Sequence, residues 1–192
     1  MFQEFLSRIF AIPNKKCMSN LLPIVLEQSL SNNTPDAVFA ALLPALGEVL
    51  QCDRIFLYLR DPQTHIGKAA YCWCRSPEYP DVSDSDWKQE PDSLKSEDPL
   101  FSAAVRTEPS IFVEDVETAS PTVVNKAFEQ KNFGHRALIH AHLCCDEQLW
   151  GILQPCVFGK PRVWTEADRS IISVVTEKLT PLAVSYVKTA RK

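Results

Sequence analysis

Two apolar runs parted by a short acidic turn, with a capped amphipathic segment after them, constrain the fold more than any other part of the chain. The first run is His135-Arg136-Ala137-Leu138-Ile139-His140-Ala141-His142-Leu143, and after Asp146-Glu147 the second continues as Gln148-Leu149-Trp150-Gly151-Ile152-Leu153. Such runs with turn residues between them predict a β-hairpin. Downstream, Pro161-Arg162-Val163-Trp164-Thr165 places Thr165 as the N-cap of a helix with Asp168 at its third position. That helix runs from Thr165 to near Val187. It carries Ile171, Ile172, Val174, Val175, Leu179, Leu182, Ala183, Tyr186 and Val187 on one wide face, and Pro181 is expected to bend it. The face is broader than packing on a sheet requires, so a homodimer seam is expected as its second use.

The rest of the chain punctuates itself in the same way. Thr34 can cap a helix with Pro35 in its first turn, and Val38, Phe39, Leu42, Leu43, Leu46, Val49 and Leu50 form its apolar stripe, which Pro44 should kink. Ile55 to Leu59 reads as a buried strand ended by Asp61-Pro62, with Lys68 to Cys74 as its hairpin partner. From Arg75 to Ser96 prolines and acidic residues break every pattern, which predicts a long surface loop, functional or disordered. Ile111-Phe112-Val113 is a short strand, and Pro121 to Lys131 a helix. This order predicts an α+β fold, an antiparallel sheet of five to six strands flanked by helices, with the long helix at its C-terminal end.

With 192 residues, 45% of them hydrophobic, the expected organisation is one domain over residues 34–192 behind an N-terminal helical extension over 1–33. Phe2, Phe5, Leu6, Ile9 and Phe10 fall at helical spacing, for packing on the domain or a second subunit, or alternatively on a membrane surface. No apolar run is long enough to span a bilayer. The net charge of −4 argues against nucleic acid, whose binders present a basic face to phosphates. Seven cysteines without a secretory leader predict free thiols and a cytoplasmic location.

The motifs of the last third also carry a family resemblance. An Arg-Ala strand, a Leu-Trp-Gly strand and a Pro-Arg-x-Trp helix entry, here Arg136-Ala137, Leu149-Trp150-Gly151 and Pro161-Arg162-Val163-Trp164, occur in that order in GAF domains. The chain resembles in particular the bilin-binding GAF domains of phytochromes and cyanobacteriochromes, over roughly residues 35 to 187. The resemblance implies a sensory or interaction module. It also implies where a bilin would be attached, at a Cys-His pair a fixed distance before the Ala of the Arg-Ala strand. Counting back from Ala137 reaches Asn125 and Lys126 instead. In the second motif, Asp-x-Cys-Phe, the matching segment is Asp98-Pro99-Leu100-Phe101, with Leu100 in place of the thiol. Both attachment positions are missing, so no covalent bilin, and no cofactor, is expected.

Two sets of residues remain as candidates. His140 and His142 share a strand face, and the resemblance puts them in the pocket near the bilin propionates, where two imidazoles suit a carboxylate-bearing ligand, haem or a metal, or else merely hydrogen-bond within a polar rim. With Trp73, Asp98, Phe101, Lys126, Phe128 and Phe133 they make up the candidate pocket. The second set is the thiols Cys72, Cys74, Cys144, Cys145 and Cys156, on strand ends where paired cysteines can come within disulfide reach, against the alternative of small buried hydrophobes. No His-x-x-x-His or Cys-x-x-Cys spacing supports a metal centre, and five glycines without a phosphate-loop pattern offer no phosphate cradle.

The reading that results is a non-enzymatic GAF-like sensory or regulatory module. It acts through association, as a homodimer and with an unidentified signalling or photosynthesis-related protein, and its pocket is empty or holds a small ligand noncovalently. The alternatives are a tetrapyrrole or thiol-redox sensor, and a reductase of the free methionine-R-sulfoxide type. The last lacks its cysteine-bearing loop, because Arg75 to Ser96 contains no Cys.

Overall fold

The computed structural model describes residues 22–190, and the amphipathic stretch at the N-terminus lies outside them. The elements are α1 (Ile24–Leu30), α2 (Pro35–Leu50), β1 (Arg54–Asp61), β2 (Ile66–Cys74), β3 (Lys88–Gln89), α3 (Leu94–Glu97), α4 (Pro99–Val105), β4 (Ile111–Val113), α5 (Lys126–Asn132), β5 (Ala137–Cys145), β6 (Gln148–Val157) and α6 (Glu166–Ala190). The strands form one sheet of order β3-β2-β1-β6-β5-β4, antiparallel at every pairing. This is the α+β arrangement expected from the sequence.

Local chemistry sets the element ends. Thr34 accepts from Ala37 N at the start of α2, and the helix runs unbroken through Pro44. Asp146 and Glu147 both adopt positive φ (51° and 57°), the left-handed pair that a two-residue hairpin turn requires. At α6 the cap is reciprocal: Asp168 N donates to Thr165 Oγ1 at 3.1 Å, and Thr165 N donates to Asp168 Oδ2 at 2.9 Å.

The strand alternation divides the sheet into two faces. Ile55, Leu57 and Leu59 of β1, Ala137, Ile139, Ala141 and Leu143 of β5, and Leu153 and Val157 of β6 pack under α2 and α6 as the main core. The other face of the same strands carries Arg54, Phe56, Tyr58, Leu138, His140, Ile152 and Cys156, and it is this face that forms the candidate site.

Two expectations are corrected. The Arg75–Ser96 stretch is no simple surface loop: it supplies the edge strand β3 and the buried Glu90. The helix expected from Pro121 to Lys131 starts only at Lys126, because Asn125 caps it by accepting from Phe128 N. On α6, Ile172, Val174, Val175, Leu179, Ala183 and Val187 are buried against the sheet and α2, Ile171, Leu182 and Tyr186 stay half-buried, and Ser173, Glu177, Lys178 and Ser185 face outward.

Candidate functional site

Three cross-strand rows build the floor. One runs Leu138, Cys156, Arg54, Cys74; the next Gln154, Phe56, Cys72; the third His142, Ile152, Tyr58, Ala69. Over the last two rows lies a cavity of about 350 Å³. Its walls are the rings of Phe56, Tyr58, Phe101, Phe128 and Phe133, with Val82, Leu94 and Ile152. Phe56 stacks on Phe133 with centroids 5.6 Å apart, and Tyr58 meets Phe101 edge-on at 6.4 Å. An aromatic enclosure with a few polar groups is the usual form of a small-molecule site.

The polar groups around it are largely spoken for. Glu90, brought in by the segment before α3, takes a two-pronged pair from Arg60 (2.6 and 3.1 Å) and the Tyr58 hydroxyl at 2.9 Å. Burial, and then the Glu90 charge, push the Tyr58 phenol far up. Lys88 pairs with Asp84 at 2.5 Å, and Asp84 Oδ2 also accepts from Ala69 N. Asp98 caps α4 by accepting from Leu100 N. Burial, reinforced by the Glu129 charge, pushes its carboxyl up to about 6.

Beneath the aromatic wall runs a second buried chain. Arg54, fully buried, donates to Pro80 O and Phe133 O, lies against the Phe158 ring at 5.0 Å, and places Nη2 3.4 Å from His135 Nδ1. His135 Nε2 stands 2.7 Å from Glu129 Oε2. Burial opposes charge on His135, but Cys156 and Glu129 outweigh it and raise its pKa. Arg54 thereby fastens both the segment after β2 and the end of α5 to the sheet, and these are two walls of the cavity.

The sequence-derived candidates separate in the fold. Asp98, Phe101, Phe128, Phe133 and His140 line the cavity. His142 sits beside it, with Nε2 2.9 Å from His140 Nδ1 and Nδ1 2.7 Å from Glu108 O. Burial lowers the pKa of both rings, so neither offers positive charge to a carboxylate. Trp73 is on the other face: it pairs with Ile55 and packs so closely on α2 that a Cβ on Gly47 would stand 2.0 Å from its Cζ3. Strand alternation puts Cys72 and Cys74, not Trp73, on the cavity face. Lys126 points outward in an ion pair with Glu117.

The candidate thiols lie on three strands, Cys72 and Cys74 on β2, Cys144 and Cys145 at the end of β5, and Cys156 on β6. Cys72 and Cys74 lie 3.9 Å apart through sulfur, and both are free. Burial pushes the Cys72 thiol up to about 12 and raises Cys74, Cys144 and Cys145 as well, so each resists forming the thiolate that redox chemistry needs. No cysteine lines the cavity. Leu100, at the position of the second attachment motif, is 1% exposed in the core. Among the described residues no three His, Cys, Asp or Glu gather as a metal site, and no helix is long and apolar enough to cross a membrane.

A family model for the GAF domain matches residues 34–180. The chain belongs to the GAF family. No curated protein matches its sequence. Among solved structures it is similar to the GAF domain of an Acinetobacter phosphoenolpyruvate-protein phosphotransferase, at 12% identity and TM-score 0.65, over 92% of this chain and 98% of that one. It is also similar to GAF3 from Slr1393 of Synechocystis, in its photoproduct state, at 22% identity and TM-score 0.63, over 82% and 98%. A third is the phycoerythrobilin-bound GAF domain from a cyanobacterial phytochrome, at 15% identity and TM-score 0.63, over 88% and 100%. At these identities the likeness is one of fold, and within this GAF domain the cavity stands on the sheet face away from α2 and α6.

Sequence reasoning missed Arg54, Phe56, Tyr58, Arg60, Glu90 and Gln154. A signal for three of them was present: Arg54 and Arg60 at one parity of a strand otherwise apolar, and Gln154 alone in the apolar run Leu149 to Val157. A polar residue in a buried strand needs a partner or a purpose.

Proposed function

We propose that this GAF domain is a non-enzymatic sensory or regulatory module whose cavity takes a small ligand without a covalent bond and whose output is protein association. The observation that carries the reading is the aromatic-walled cavity, whose lining includes no cysteine to attach a ligand. Kinship with the family agrees with sensing, and the paired charges around the cavity suit binding better than proton transfer. Association as a homodimer is part of the same reading; exposed Ile24 and Val25 on α1, at 72% and 45%, offer apolar surface for it.

The test is an absorbance spectrum and an intact mass of protein purified from cells that make both haem and phycocyanobilin, with light scattering on the same sample. The expected result is the bare chain mass of 21.7 kDa under denaturing conditions and twice that mass in solution. A covalent tetrapyrrole adduct overturns the noncovalent reading, and a strictly monomeric protein overturns the dimer. A visible band that denaturation removes identifies the ligand as a noncovalent tetrapyrrole.

A further inference from the structure

The cavity floor holds two acceptors that the fold leaves unused. Gln154 is 3% exposed and lines the cavity. Its Nε2 is shut off from solvent, so the atom of that amide within a ligand's reach is Oε1, which takes no hydrogen bond among the described residues. His140, equally buried, lines the cavity too. The β5–β6 register pairs Leu138 with Cys156 and Ala141 with Leu153 without a shift between them, which sets His140 directly opposite Gln154. Side chains so placed start about 4.5–5.5 Å apart at Cβ. Their polar ends share one patch of floor.

The neighbours of His140 fix which of its nitrogens carries the proton. Glu108 O can only accept, so His142 Nδ1 donates to it. With both rings kept neutral by burial, His142 Nε2 is a bare acceptor and His140 Nδ1 must donate to it. His140 Nε2 is left as a lone pair with no hydrogen bond among the described residues, and unlike Gln154 Nε2 it is not sealed from solvent. The floor therefore presents two lone-pair acceptors side by side. The charge around the cavity has the same sign. Of the three carboxylates that line it, Asp84 is paired with Lys88 and Glu90 with Arg60, whereas Asp98 forms no ion pair among the described residues and accepts from Leu100 N. Phe101, Phe128 and Phe133 share the wall with it, and aromatic rings attract a cation through their faces.

We propose that this cavity selects a flat aromatic amidinium, whose two nitrogens donate to Gln154 Oε1 and His140 Nε2 and whose charge is balanced by Asp98. The inference rests on the reading of the cavity as a ligand site and names its ligand class. Hydrogen bonds from a charged donor are the strong kind, and a planar amidinium offers two of them along one edge. A carbonyl brought to this floor meets another lone pair, and a carboxylate loses its hydration without return.

Three molecules of one shape test it on the whole protein by equilibrium dialysis at pH 7.5: 4-aminobenzamidine, 4-aminobenzamide and 4-aminobenzoate, which replace the two nitrogens of the amidinium by oxygen one at a time. The amidine is expected to bind saturably, the amide about tenfold more weakly, the loss of one hydrogen bond to a charged donor, and the benzoate not at all. Gln154→Leu and His140→Phe should each weaken the amidine about five- to tenfold and narrow its lead over the amide, which a merely loosened cavity would not do. Asp98→Asn, which keeps an oxygen for Leu100 N, should weaken the amidine and leave the neutral amide unchanged. Circular dichroism and melting check that the variants fold, and the wild-type ranking of the three molecules stands without them. Equal binding of amidine and amide overturns the proposal. Preference for the amide or the benzoate also overturns it, since a donor then faces the cavity, while keeping the cavity as a ligand site. If the amidine does not bind and the neutral apolar dye Nile red does, the amidinium class is wrong and the site survives; if neither binds, the ligand-site reading falls as well.

Discussion

Replacing Asp98 by Asn isolates one consequence of building a cavity wall from a buried carboxylate. The Asp98 side chain is 7% exposed and its carboxyl is pushed from 3.8 up to about 6, by burial first and by Glu129 second. In the unfolded chain the same group titrates near its ordinary value. Because the folded pKa is the higher one, the group contributes stability that is fully present below pH 3.8 and is lost as pH rises through about 6. At roughly 1.4 kcal/mol per tenfold, the interval amounts to about 3 kcal/mol. Asn keeps the bond that matters locally, since its side-chain oxygen can still accept from Leu100 N at the start of α4. Urea unfolding at a series of pH values from 4 to 8, followed by tryptophan fluorescence, should therefore show Asp98→Asn gaining on the wild type by about 3 kcal/mol as pH rises. Glu129→Gln should remove part of the effect. A difference between wild type and variant that does not change with pH would refute the reasoning, as would a carboxyl resonance of Asp98 titrating near 4.

Other consequences can be checked in the same preparation. Burial depresses His140 and His142 below the ordinary 6.5, so the unfolded chain takes up protons first as pH falls, and stability present above about pH 6.5 is lost below it. The melting temperature should therefore drop more steeply from pH 7 to 5 in the wild type than in a His140→Phe/His142→Phe double variant, and equal slopes would count against a neutral pair. Glu90→Gln strands the buried Arg60 and should cost about 3–5 kcal/mol in urea unfolding, whereas replacing Arg60 and Glu90 together by Met should cost less; a single variant no worse than the double would show that the pair is not what holds that wall. At pH 7.5 iodoacetamide should modify Cys72, Cys74 and Cys144 far more slowly than the same cysteines in the urea-unfolded chain, because burial keeps their thiols protonated. Rapid alkylation of any of them, followed by peptide mapping, would reopen the redox reading.

What the sequence determined by itself is whatever its own short-range chemistry encodes. The Asp146-Glu147 turn, the Thr165 and Asp168 cap, the Thr34-Pro35 helix start and the period-two strands Ile55 to Leu59 and Ala137 to Leu143 depend on neighbours a few residues away, and each can be read from spacing. That His140 and His142 share a face follows from the same period. The tertiary structure alone decided which face of the sheet becomes the cavity, and so sent Trp73 to the helices and Cys72 to the cavity side. It decided that the proline-rich stretch after Arg75 folds back to deliver Glu90 to Arg60 and Tyr58, partners separated by about thirty residues. It also placed Gln154 opposite His140, with its amide nitrogen shut off from solvent and without a hydrogen-bond partner among the described residues. These are outcomes of strand pairing between distant segments: a carboxylate or an amide can be buried only where the fold brings it a partner or a ligand, and burial itself then moves Asp98, His140 and Cys72 away from their ordinary titration.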